Sequence, residues 1–136
     1  MKKFIKNQAG YAWDERKQSL IETLSDMEPL GLIEPDEALY DDARCFAYQS
    51  GTLGITGHDR SQTTCAGFRH AECCHYGGEK NGLSIVMALL IDAGENNAAL
   101  GHRKILLDSR YDKMGVAIQP HTKYQFNAVL NFKRKE

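Results

Sequence analysis

Tyr124-Gln125-Phe126-Asn127-Ala128-Val129-Leu130-Asn131-Phe132 is the stretch whose reading decides the fold class. Tyr124, Phe126, Ala128, Leu130 and Phe132 alternate with Gln125, Asn127, Val129 and Asn131, the two-residue period of a strand laid on a core. Just before it Val116 and Ile118 alternate with small or polar residues, and Pro120-His121-Thr122-Lys123 is the predicted hairpin loop between the two runs. Upstream the period is helical. Leu20, Ile21, Leu24 and Met27 share one face of a helix predicted from Asp14 to Met27, and Pro29-Leu30-Gly31-Leu32 breaks it. Glu34-Pro35-Asp36-Glu37 restarts a helix, with proline at its first position and acids in its first turn. Leu39, Ala43, Phe46 and Ala47 form the apolar stripe of that second helix, which ends near Gln49 to Gly51. Gly51 to Gly67 has no period and reads as loop, and Cys73-Cys74-His75-Tyr76 reads as a short extended piece. A third helix starts near Ser84, is apolar all round from Ile85 to Ile91 and hence buried, and stops at Asp92. Helices come first, an antiparallel sheet last, and no βαβ alternation intervenes: the class is α+β.

The chain has 136 residues, enough for one domain with a core of its own. Residues 1–13 read as a loose arm and 14–136 as the single domain. The formal net charge is −1, so no overall field draws nucleic acid or an acidic membrane, and Lys133-Arg134-Lys135 is a solvated tail. The longest apolar run, Ile85 to Ile91, falls far short of a membrane span. Met1-Lys2-Lys3-Phe4-Ile5-Lys6 begins like a secretory n-region, but no apolar h-region follows. The expectation is a protein that stays inside, or a mature or excised piece of an exported one.

Gly101-His102-Arg103-Lys104-Ile105-Leu106-Leu107 places a histidine at the head of a short apolar turn, where an imidazole can donate, accept or ligate a metal near neutral pH. His58 sits in the long loop beside Asp59 and Arg60. For His70, His75 and His121 a structural role is the expectation. There are four cysteines, at 45, 65, 73 and 74, allowing three connectivities of two disulfides. The readings of the cluster Cys65-x4-His70-x2-Cys73-Cys74-His75 are free buried thiols, a disulfide staple or a zinc site, and because the spacing fits no common zinc pattern, zinc is the least favoured of them. No serine or cysteine nucleophile stands beside a histidine in a recognisable motif.

Several segments together resemble the CAP superfamily of cysteine-rich secretory proteins, antigen 5 and pathogenesis-related 1 proteins, above all its bacterial SCP-like extracellular members. Pro29 to Leu39 resembles that family's link between its first two helices. Gly57-His58-Asp59-Arg60-Ser61 is similar to the loop carrying its first histidine. Ala71-Glu72-Cys73-Cys74-His75-Tyr76-Gly77 is similar to its Ala-Gly-Glu-Asn-Ile-Ala segment, with Glu72 at the glutamate. Gly101 to Leu107, then Met114-Gly115-Val116-Ala117, resembles its Gly-His-Arg-x-Asn-Ile-Leu and Ile-Gly-Val-Gly segments. The likeness runs over residues 15 to 132. Cys73 stands at the usual asparagine, Leu89 at a usual tryptophan, and Lys104-Ile105 leaves no room for the Asn before Ile-Leu.

The resemblance implies an α-β-α sandwich with a concave cleft, and export to the cell envelope or beyond. By matching position the cleft is lined by His58, Glu72, Asp92 and His102, with Glu95 competing with Asp92. His58 and His102 are the expected metal ligands, and zinc the expected ion, since two imidazoles with one or two carboxylates suit it. The function classes are a ligand- or metal-binding module, whose ligand is a small molecule, lipid or peptide, and a peptidase-like hydrolase using the same groups as acid and base. A structural His/Glu cluster that only fixes loops is the third reading. A monomer is expected. Export further implies that Cys65 pairs with Cys73 or Cys74; as extended neighbours these two face opposite ways, so only one can reach Cys65.

Overall fold

The computed structural model describes residues 2–7, 15–68, 70–93 and 99–136. In chain order the elements are α1 (Lys2–Lys6), α2 (Glu15–Ser25), β1 (Glu34–Pro35), α3 (Glu37–Leu53), β2 (Ala71–Gly77), α4 (Gly82–Ile91), α5 (Gly101–Leu106), β3 (Tyr111–His121) and β4 (Gln125–Arg134). The strands form one sheet in the order β1-β3-β4-β2. β4 lies in the middle and is antiparallel to both β3 and β2, whereas the two-residue β1 is parallel to β3. The class is the expected α+β.

Cross-strand rows show what each face does. Gly115, Asn131 and Glu72 form one row, and Ala117, Val129 and Cys74 the next, both beneath α3. Val116, Leu130 and Cys73 form a row on the opposite face, packed with Ile85 and Leu89 of α4. Cys73 and Cys74 therefore face opposite ways, as adjacent strand residues must. Behind α4 a further cluster joins Met87 and Ile91 to Leu20 and Ile21 of α2. Ile5 of α1, inside the expected arm, is buried in that cluster, while residues 8–14 lie outside the described residues.

α3 lies close on β3 because glycine permits it at two points. A Cβ on Gly115 would meet the Tyr40 backbone nitrogen at 2.1 Å, and one on Gly51 would meet the Pro120 carbonyl oxygen at 2.0 Å. Closeness of this kind buries the polar positions of β4 as well as its apolar ones: Asn127 and Asn131 are 2% and 1% exposed. Asn127 is satisfied there, its Nδ2 donating to the Ala47 carbonyl at 3.1 Å.

Two local expectations are corrected. Pro35 pairs in β1 with Met114 rather than opening a helix. Asp36 is the cap, its side chain accepting from the Leu39 backbone N–H at 2.9 Å. Pro120 and His121 continue β3, paired with Phe126 and Gln125, so the turn is confined to residues 122–124. Among the described residues β1 covers β3 only at Lys113 and Met114, which leaves Pro120 on an edge where its missing N–H costs no ladder bond.

Candidate metal and ligand site

α3 ends at Gly54, whose φ of 70° turns the chain into the loop that carries His58. Four ties hold that loop. The Gly57 N–H donates to the Tyr76 hydroxyl at 2.8 Å, and the Ser61 N–H to Asp59 Oδ1 at 2.8 Å. Gln49 of α3 accepts from the Thr64 N–H at 2.9 Å and donates to the Thr64 hydroxyl at 2.7 Å. One helical turn back, Cys45 is bonded to Cys65, with Cα atoms 5.8 Å apart. The expected pairing of Cys65 with Cys73 or Cys74 is thus overturned. Gln49 draws the Thr64–Cys65 stretch onto α3, while Cys73 and Cys74 remain free buried thiols.

The loop delivers His58 and Arg60 to the buried carboxylate of Glu72. His58 Nδ1 lies 2.7 Å from Glu72 Oε1. Arg60 engages the same carboxylate as a fork, with Nη1 donating to Oε1 at 2.7 Å and Nη2 donating to Oε2. Its guanidinium carbon stands 3.7 Å from the centre of the Phe46 ring, a stacking contact that fixes the fork's plane. Burial alone would raise the Glu72 pKa, but hydrogen bonds and charge from Arg60 and His58 more than offset it, and the net shift is downward. Cys74, two residues along the same face of β2, places Sγ 3.5 Å from Glu72 Oε1 and 3.6 Å from His58 Nδ1. Burial, then the Glu72 charge, pushes that thiol far up. With its Nδ1 held by an acid, His58 still leaves 45% of its side chain exposed.

On the other face, Asp92 ends α4 in the left-handed region at φ 54°, and its carboxylate meets the start of α5. His102 donates its backbone N–H to Asp92 Oδ2 at 3.0 Å, and its Nδ1 lies 3.0 Å from Oδ1. Arg103 is buried. It donates to the carbonyls of Leu90 at 2.7 Å, Ile91 at 3.1 Å and Arg16 at 2.9 Å, and to the Ser19 hydroxyl at 2.8 Å. In the Gly-His-Arg segment the arginine therefore stitches α2, α4 and α5 together, and the histidine meets the acid.

The description that matches this chain is the cysteine-rich secretory protein family, CAP, over residues 13–132. The chain belongs to the CAP family. An outer surface protein from Borrelia burgdorferi shares the fold, with a TM-score of 0.56, 24% identity and 86% of each chain covered. No curated protein sequence matches.

Within this CAP domain the four position-matched residues form two imidazole–carboxylate pairs, His58 with Glu72 and His102 with Asp92. Glu72 shares its face of β2 with Cys74 under α3, and Cys73 of the other face feels the Asp92 charge, so the pairs flank the sheet's outer strand. Glu95 lies outside the described residues. Among the described residues one group of three could hold a metal ion: His58, Glu72 and Cys74, whose donor atoms all lie within 4.8 Å of one another. His102 is not part of it. Two of these donors come from alternate positions of β2 and the third from a loop anchored to α3 and β2, so the group is held together by the fold.

His121 and His70 serve the fold. His121 Nδ1 accepts from the Lys123 N–H at 3.1 Å, and its Nε2 donates to the Ile55 carbonyl at 2.9 Å. His70 Nδ1 accepts from the Arg134 N–H at 2.8 Å. His75 is partly buried, which lowers its pKa; Glu79 opposes that shift and His102 adds to it. Arg60 and Cys74 are the participants that sequence reasoning left out. Cys74 was legible in principle, since it stands two residues from Glu72 in a strand. Arg60 had only its place two residues after His58.

Proposed function

We propose that this CAP domain is an exported or envelope-associated binding module whose ligand groove runs over the β2 edge and holds a divalent metal ion at His58. The observation that carries the reading is the His58–Glu72 pair: a half-exposed imidazole and a buried carboxylate, both groups able to ligate a metal, are already held 2.7 Å apart. His102 and Asp92 form a second imidazole–carboxylate pair across β2. For location, the support is the CAP family and the likeness in fold to an outer surface protein; no described helix is long and apolar enough to cross a membrane.

A metal-assisted hydrolase is the second reading, favoured by the exposed side of His58, where a bound water could sit. Cys74 is unsuited to the nucleophile's part in it, because burial and Glu72 keep its thiol protonated. Zinc titrated calorimetrically into the intact chain near pH 7.5 tests the binding reading. The expected result is one site at micromolar zinc, weakening as protons compete for the ligands at lower pH. No heat would return the cluster to a structural role.

A further inference from the structure

We propose that the ion is held as a zinc–thiolate, with Cys74 as a direct ligand beside His58 Nδ1 and Glu72 Oε1, a set that departs from a site built on the two histidines. The inference rests on the binding reading above and specifies its ligands. Tetrahedral zinc with bonds of about 2.3 Å to sulfur and about 2.0–2.1 Å to nitrogen and oxygen needs S–N and S–O edges of about 3.5–3.6 Å. The two sulfur edges of this group are 3.6 Å to His58 Nδ1 and 3.5 Å to Glu72 Oε1, so both already have the required length. Only the N–O edge, 2.7 Å, must open, and it is short because a hydrogen bond now spans it.

The groups around the three donors fit the same role. Arg60 Nη2 can stay on Glu72 Oε2 while Oε1 exchanges its 2.7 Å hydrogen bond from Arg60 Nη1 for the metal, which makes Arg60 the outer partner that orients the carboxylate. Directly across the β2–β4 ladder from Glu72 lies Asn131, buried, with neither amide atom hydrogen-bonded among the described residues. A polar group left in that state calls for a water in the neighbourhood. Three protein ligands leave tetrahedral zinc a fourth position for water or substrate.

Binding balances without an oxidant. The Cys74 S–H bond breaks, the S–Zn bond forms, and the proton goes to buffer; Nδ1 of His58 bonds the metal in the tautomer that carries its proton on Nε2. In an oxidising compartment this also gives a free thiol a stable partner, since Cys45 and Cys65 are already spent on each other.

The test is cobalt substitution with zinc titration of the full chain. Wild type should show a thiolate-to-cobalt charge-transfer band and release about one proton per zinc, read from the buffer dependence of the heat. Cys74→Ser and Cys74→Ala should lose the band and weaken zinc by more than the roughly 10–100-fold typical of outer-shell changes. Cys73→Ala, on the opposite face, should keep both. A wild-type chain that binds zinc without the band, or Cys74 variants that bind as tightly, would overturn the thiolate and leave the binding reading standing. No metal uptake by wild type would overturn both, and the wild-type spectrum decides the matter even if a variant fails to fold.

Discussion

Arg103→Ala is the perturbation whose cost the structure specifies most fully. The guanidinium is 3% exposed and donates to three backbone carbonyls and one hydroxyl drawn from α2 and the C-terminal end of α4. Truncation removes these donors and leaves the Leu90 and Ile91 carbonyls, which end α4, without them. Bonds to one side chain do not add, so the cost is set by breaking a buried charged network, about 3–5 kcal/mol. Against a typical stability of about 5–15 kcal/mol that is about a fifth or more of the total. With a urea slope near 2 kcal/mol per molar, the midpoint should fall by about 1.5–2.5 M, read by far-UV circular dichroism. Arg103→Lys should recover less than half, because an ammonium cannot reproduce the fork. A midpoint shift below about 0.5 M for Arg103→Ala would refute the view that this arginine holds the helical layer together.

Two further outcomes follow from the other face. Replacing Cys45 and Cys65 together by serine should cost about 3 kcal/mol under non-reducing conditions, the chain-entropy value for a sequence separation of 20; equal stability would show that Gln49 and Thr64 hold the loop without the bridge. For Glu72 the folded pKa is lowered, so its stabilisation is fully present above the ordinary carboxylate range near pH 4.3 and fades as pH falls through the lower folded value. The stability advantage of wild type over Glu72→Gln should therefore shrink below about pH 4 in an acid denaturation series; an advantage unchanged down to pH 2 would contradict the Arg60–Glu72–His58 assignment.

Patterns confined to one element were legible in the chain. The alternation of β4, the stripe of α3 and the stop at Asp92 all show in the sequence, because each depends on spacing within a single segment. What could not be read depends on how segments meet. Asn127 looks solvent-facing in an alternating strand, yet the Ala47 carbonyl of α3 and the Gln119 carbonyl of β3 accept from its amide. Cys65 lies nearer in sequence to Cys73 and Cys74 than to Cys45, yet Gln49 carries its loop to α3. At the candidate site, resemblance pointed to His58, Glu72, Asp92 and His102, but their division into two pairs on either side of β2 comes from strand alternation and from the placing of α5. Arg60 was silent because its role depends on stacking on Phe46, a residue of another element.

Anomalous diffraction at the zinc edge, from crystals of the intact chain grown with zinc, bears most directly on the central claim of a metal site at His58. One strong peak is expected at bonding distance, about 2.0–2.1 Å, from a His58 ring nitrogen. No peak there, or zinc only at surface groups such as His70, would contradict it.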